Sequence, residues 1–498
     1  MLLTVLIVVP AVTALLIALA PRTAARLIAL VGSAATFLIS LGLLGQFTVG
    51  DPGFQLTQTA EWIPAWGITY RVGVDGVSLP LVLLTTLMVP VTVLAAWEQP
   101  EGVKGFFGSL LALEAALVGV FVALDLILFY VFFEAMLVPM YALIGIWGGG
   151  NRRYAAVKFF LYTLAGSLFL LVAVLYLYFA AGAETFAYES LLALDLTRTE
   201  QLWLFGAFFI AFAIKVPLFP LHTWLPDAHT DAPTAGSVLL AAIMLKIGGY
   251  GFLRYLLPYF PEATLELAPL ILALGVIGVL YGALVAMVQR DIKRLVAYSS
   301  VAHLGFVVIG TFALHPTGAA GSVVQMINHG ISTGALFLLI GFLYDRTHSR
   351  EIAHYSGLMR ATPVFGGLWL LTVMSSIALP GLNGFTGEFP ILLGTFQTVP
   401  WAAVLATFGV IFAAIYLLWA TQRMFHGPVE GRAVGLLDLR PREIAVMVPL
   451  VALMFGIGLY PDPLYDRVTP TVEQIVATVN GDIAVSATDD AVTGGEVQ

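Results

Sequence analysis

No cysteine occurs anywhere in the 498 residues. That excludes disulfides, thiolate zinc sites and cysteine-held iron–sulfur clusters on this chain. Charge is scarce too. Asp, Glu, Lys and Arg make up 10% of the residues, against about a quarter in a typical soluble chain. No G-x-G-x-x-G turn and no P-loop is present, so nucleotide binding has no support. The basic residues are few and spread among short loops, which argues against nucleic-acid binding. Apolar residues, by contrast, make up 60% of the chain. That leaves too little polar surface to cover a water-soluble globule, so the chain belongs in a lipid bilayer. The opening run Met1–Ala20 lacks a basic start and a clear cleavage site, and reads as the first span rather than a signal peptide.

A helix needs about 20 apolar residues to cross the hydrocarbon. Fourteen candidates meet this: 1–20, 26–47, 76–97, 105–124, 126–147, 155–180, 202–221, 234–256, 265–288, 294–314, 319–344, 364–397, 401–424 and 442–460. Only helices or closed barrels satisfy the backbone in lipid, and these runs are too long for barrel strands. Alternate loops carry 15 Lys/Arg against 4, with Lys104, Arg152, Lys293 and Arg440 in the rich set and Arg71, Arg198, Arg254 and Arg467 in the poor one. The rich loops are expected inside the cell, which puts both termini outside. Between spans two and three, alternation in Phe54–Gln58 and Ile68–Val72 predicts a small outer β-hairpin.

Two spans are interrupted. The seventh contains Pro217 and Pro220, and the twelfth contains Pro380, Gly381, Gly384 and Pro390. Proline removes a donor and clashes with the preceding turn, so each helix is expected to break there. The expected fold is all-α integral membrane. Residues 1–97 hold three spans and an outer loop, 105–256 and 265–424 form two five-helix units, and 442–460 is a last span. Residues 461–498 form a polar, partly flexible tail with Asp489, Asp490 and Glu496. Each broken helix is the fourth member of its unit. Five is odd, so the units have inverted orientation, an arrangement that points to an ion path near the midplane.

Ionisable residues within the spans mark that path. The chain has five lysines, and Lys215 and Lys246 lie well inside apolar runs. Each such charge costs about 2.5–3.5 kcal/mol on insertion scales, which makes it a functional candidate. Glu134, in the fifth span, is the natural counter-charge for Lys215, either as a switch or as a static ion pair. Glu388 follows the break in the twelfth span, where it could accept a proton or cap a half-helix. His222, His303 and His329 are candidate links of a proton wire, or ordinary hydrogen-bonded histidines. His229 and Asp227 line an entrance or pin their loop.

The segment Lys215–Val238, with Gly73–Ser78, Gln289–Gly305 and Asn328-His329-Gly330, resembles the proton-antiporter-like subunits of respiratory complex I, over about residues 1–460. Within that family the chain looks most like the M branch, the counterpart of mitochondrial subunit 4. Fourteen spans match, no long lateral helix follows, and Lys246 and Glu388 stand where other branches carry histidine and lysine. The resemblance implies a proton translocase in which Glu134 and Lys215 form a coupled pair, Lys246 is the central relay and Glu388 the terminal group, with His222, His303 and His329 in support. It also implies a bacterial inner membrane, L-like and N-like neighbours, no cofactor on this chain, and NADH, FMN, iron–sulfur clusters and quinone on partner subunits. No residue settles H⁺ against Na⁺. A subunit of a multi-subunit cation/proton antiporter or membrane-bound hydrogenase, and a non-transporting scaffold, are the alternatives.

Overall fold

The computed structural model describes residues 1–99 and 101–481; Asp489, Asp490 and Glu496 lie outside them. Among the described residues, twelve helices are long and apolar enough to cross a membrane, from Leu2–Leu19 to Pro441–Leu459. Three other helices line up with sequence spans seven and twelve: Arg198–Lys215, Pro363–Ser376 and Asn383–Thr398. Strand Gln55–Ile63 pairs antiparallel with Ile68–Val74, forming the hairpin expected between the second and third spans.

Burial runs opposite to hydropathy. The central helices Thr234–Tyr259 and Pro316–Thr347 are completely buried over their most apolar stretch, yet have a mean hydropathy of only 1.6. Leu2–Leu19, at 2.8, is one-third buried. A soluble fold would place them the other way round. In lipid the outer helices must be apolar on every face, and the polar side chains gather in the middle.

One structural device occurs twice. Asp125 caps Leu126–Ala135 by accepting from the Ile127 and Leu128 amides, and Leu126 N donates to Phe186 O while Tyr188 N donates to Leu124 O. Asp291 caps Ile292–Phe312 by accepting from Lys293 and Arg294, and Ile292 N donates to Arg350 O while Ile352 N donates to Arg290 O. The first device binds the hairpin through Thr69 N, which donates to Asp125 Oδ2 at 2.9 Å. The second pairs with Arg350, among the basic loops.

Residues 462–480, part of the expected tail, form a helix. Val468, Val472, Ile475, Val476 and Val479 are buried on one face, while Asp462, Asp466 and Glu473 are exposed. Tyr465 Oη donates to Thr386 O at 2.7 Å and Thr471 Oγ1 to Pro52 O at 3.1 Å, which ties this helix to Asn383–Thr398 and to the segment that leads into the hairpin.

Candidate functional site

The helix that carries Lys246 is not a regular α-helix. Residues Leu240–Met244 and Phe252–Leu256 are π-helical, on either side of the α-helical turns Lys246–Gly251. Such wide turns are rare and frequently occur at functional sites. Here the Lys246 ammonium donates to the carbonyl of Ala241, five residues back. The same Nζ lies 2.7 Å from His329 Nδ1 on the neighbouring helix Pro316–Thr347. Glycine makes that closeness possible: a Cβ on Gly330 would lie 2.8 Å from Ala242 O.

From His329 the polar chain continues. The His329 and His303 rings have centroids 5.7 Å apart. His303 Nδ1 lies 2.7 Å from Glu388 Oε1, and Gln325 Nε2 donates to the same oxygen at 3.0 Å. Lys246, His329, His303 and Glu388 are each no more than 4% exposed. Four ionisable side chains from four helices thus form one buried row. His329 Nε2 and His303 Nε2 have no protein partner. Polar groups this deep are normally paired, so each unpaired nitrogen points to water or function.

The surroundings of Lys215 are built differently. Arg198–Lys215 ends at Lys215, and helix resumes at Trp224–Asp231. The indole of Trp224 donates to Ile214 O at 2.9 Å, satisfying a carbonyl at the helix end. Lys215 is 2% exposed, and its ammonium has no hydrogen-bond partner. It lies 4.8 Å from the centre of the Phe133 ring, a cation–π contact. Glu134 is the next residue, but its carboxylate makes no ion pair with Lys215 within 4.0 Å among the described residues. Gly248 brings Lys215 close to the Lys246 helix, since a Cβ there would lie 2.6 Å from Phe212 O and Val216 N. His222 is buried but stands apart from the row, stacked on Phe219 and edge-on to Tyr281.

Several buried charges escaped the sequence reading. Glu114 is fully buried mid-helix, with neither oxygen partnered. It stood in an apolar run, and the rule that found Lys246 would have found it too. Lys293 and Arg254 sit near helix ends and counted as loop charges. Lys293 is 6% exposed and donates to Ala232 O at 2.6 Å. Arg254 is buried against Asp75, its guanidinium 4.7 Å from the Phe54 ring centre. Among the described residues, no cluster of three or more His, Asp or Glu is placed to hold a metal ion.

A polytopic helical membrane protein with a buried row of lysine, histidine and carboxylate belongs to the class that moves small cations. A family model described as "NADH:quinone oxidoreductase/Mrp antiporter, TM" matches residues 123–413. The chain is 45% identical over 477 residues to NADH-quinone oxidoreductase subunit M of Rhodobacter capsulatus, covering 93% of this chain and 92% of that one. It is 41% identical over 477 residues to NADH-ubiquinone oxidoreductase chain 4 of Marchantia polymorpha, covering 95% and 96%. A chain in the structure of respiratory complex I from Thermus thermophilus with bound NADH superposes with a TM-score of 0.89 at 36% identity, over 96% of this chain and 100% of that one. A chain of the Mrp complex from Dietzia sp. DQ12-45-1b reaches 0.85 at 21% identity, over 96% and 98%, a likeness of fold alone. The chain belongs to this family of membrane subunits, in the branch of those subunit M and chain 4 proteins.

Proposed function

We propose that the chain translocates protons as a membrane-arm subunit of an NADH:quinone oxidoreductase, and that Lys246, His329, His303 and Glu388 are its central relay. The observation that carries this reading is the buried row, with a direct contact of 2.7 Å at each end and its two imidazole rings 5.7 Å apart between them. An imidazole can take a proton on one nitrogen and release it from the other. The unpartnered Nε2 atoms of His329 and His303 are therefore the pair through which the two rings exchange a proton, across one bridging water. Glu388 then holds the proton for release. Lys215 and Glu134 form the control element: a positive charge on Lys215 raises the energy of a proton on Lys246, and Glu134 moderates that field.

The twin Asp125 and Asp291 devices, one by the hairpin and one among the basic loops, support reading residues 105–256 and 265–424 as inverted five-helix units. The two halves of each interrupted helix then count as one crossing. That gives fourteen spans, with both termini outside a bacterial inner membrane. In this role NADH, FMN, iron–sulfur clusters and quinone sit on partner subunits. L-like and N-like chains flank this one, which holds no redox centre and relays H⁺ rather than Na⁺.

Glu388→Gln tests the relay. The amide fills the same space and still bonds His303 and Gln325, but it cannot take a proton. NADH-driven acidification of inside-out vesicles should fall at least tenfold while the complex still assembles. Full pumping in that variant, in sodium-free medium, would remove Glu388 from the path.

A further inference from the structure

We infer that Tyr465, on the tail helix 462–480, is a positioning residue for Glu388. Its hydroxyl caps a backbone carbonyl that Pro390 leaves without a helical donor, and so fixes the turn that holds Glu388 against His303. The inference rests on the function proposed above and extends the support of the relay to a residue outside the spans.

Glu388 stands between Thr386 and Pro390 in the helix Asn383–Thr398. In a regular α-helix the amide of residue 390 donates to the carbonyl of residue 386. Pro390 has no N–H, and its ring crowds that same carbonyl. A backbone carbonyl within the membrane needs a partner from the protein. Thr386 O finds one in Tyr465 Oη, at 2.7 Å. Burial pushes the Tyr465 hydroxyl up from its ordinary value, so it stays protonated and donates throughout the working pH range.

The rest of this turn is fixed by its neighbours. Asn328 Nδ2 donates to Asn383 O, and Ser375 Oγ to Asn383 Oδ1. A Cβ on Gly387 would lie 2.8 Å from Gln325 Cα, so the turn presses directly on Pro316–Thr347. That close approach lets Gln325 Nε2 and His303 Nδ1 share one oxygen of Glu388. The His303 contact, at 2.7 Å, has little slack, and a shift of about 1 Å takes it out of hydrogen-bond range. A misplacement of that size costs a positioned reaction on the order of a hundredfold. The tail helix is a firm base for the cap, because its other contacts lie away from the break. Thr471 Oγ1 accepts from Gly76 N at 3.2 Å and donates to Pro52 O at 3.1 Å. Gly76 leaves no room for a Cβ against Arg467 O. The helix also packs on Leu257–Tyr259, at the end of the span that carries Lys246. Tyr465 thus joins the turn of Glu388 to the helix at the other end of the row.

The test uses the whole complex in proteoliposomes. Tyr465→Phe removes one hydroxyl and keeps the ring, so the complex should assemble with NADH-driven pumping reduced at least fivefold and NADH oxidation by an artificial acceptor unchanged. Adding Pro390→Ala returns a helical donor to Thr386 O and should restore at least half of the pumping, a rescue that a purely structural tie between helices would not show. Amide exchange, read by mass on this chain, gives a measurement that does not depend on the proline variant. In Tyr465→Phe the amides of residues 387–389 should exchange at least threefold faster, while those of residues 472–480 keep their rate. Where Pro390→Ala brings no rescue, the exchange result decides. Glu388→Gln is run beside them. Normal pumping in Tyr465→Phe with loss in Glu388→Gln overturns this inference and leaves the proposed function standing. Normal pumping in Glu388→Gln overturns the proposed function itself. Loss of the assembled complex in Tyr465→Phe, unchanged exchange at 387–389, or exchange raised equally along 472–480 makes Tyr465 a structural tie and overturns the inference.

Discussion

Replacing Lys246 by methionine should separate the cost of this residue from its use. The side chains have similar length, and Lys246 is completely buried. Removing the charge gains about 2.5–3.5 kcal/mol on insertion scales. Losing the contact with His329 and the bond to Ala241 O costs about 1.5–3 kcal/mol each, or ~3–6 kcal/mol together, the range for hydrogen bonds to charged groups. The gain and the loss partly cancel, so folding and assembly should be weakened by no more than about 3.5 kcal/mol. Pumping has no such compensation, because a thioether cannot hold a proton. A barrier raised by ~3 kcal/mol already slows a step about a hundredfold. The assay is NADH-driven acidification of inside-out vesicles, beside the yield of intact complex on a native gel. The expected result is normal yield with pumping reduced a hundredfold. Normal pumping would show that the lysine only fills space. Loss of the complex itself would show that its contact with His329 is a structural bond.

Lys215→Ala should likewise reduce pumping and coupled NADH oxidation at least tenfold while the complex assembles, since the ammonium makes no hydrogen bond whose loss would unfold the chain; the same vesicle assay and native gel decide it. The Asp75–Arg254 pair should behave in the opposite way. Arg254→Met leaves Asp75 buried and uncompensated, which costs about 3–5 kcal/mol, so the yield of intact complex should collapse. Asp75→Asn combined with Arg254→Met should recover most of that yield, and failure to recover it would make the pair more than an electrostatic staple.

How much of this was legible depends on where each charge sits. Lys215, Lys246 and Glu388 are readable because a charge in the middle of an apolar run has nowhere else to go. Lys293 and Arg254 are not, because a charge at a helix end can equally reach the headgroups, and only the packing of other helices around it buries it. The pairing expected of Glu134 and Lys215 rested on sign alone, whereas the structure sets the ammonium 4.8 Å from the Phe133 ring centre. The π-helical turns leave no mark on hydropathy, so the bond from Lys246 to Ala241 could not be foreseen. The helix at 462–480 was legible in principle, since Val468, Val472, Ile475, Val476 and Val479 follow an amphipathic helical spacing. Low hydropathy placed it with the tail.

The opposite charges at the two ends of the row have a physical consequence. With Lys246 protonated and Glu388 ionised, two charges stand apart in a poorly polarisable interior. Passing one proton through His329 and His303 neutralises both at once, so the buried row swings between a charge-separated and a neutral state. The neutral state needs no solvation and does not decay by itself, because Glu388 cannot release its proton without restoring a buried negative charge. Reset requires a new proton on Lys246, which again makes ionised Glu388 favourable by attraction. In the proposed relay, uptake on one side and release on the other are therefore coupled through the row itself. Each charge carried across the full membrane works against about 2.3 kcal/mol per 100 mV. A positive charge on Lys215, held against the Lys246 helix at Gly248, favours the neutral state, and its withdrawal favours reloading. On the proposed function, the chain thus needs to receive nothing from its neighbours but a change of charge or hydration at Lys215.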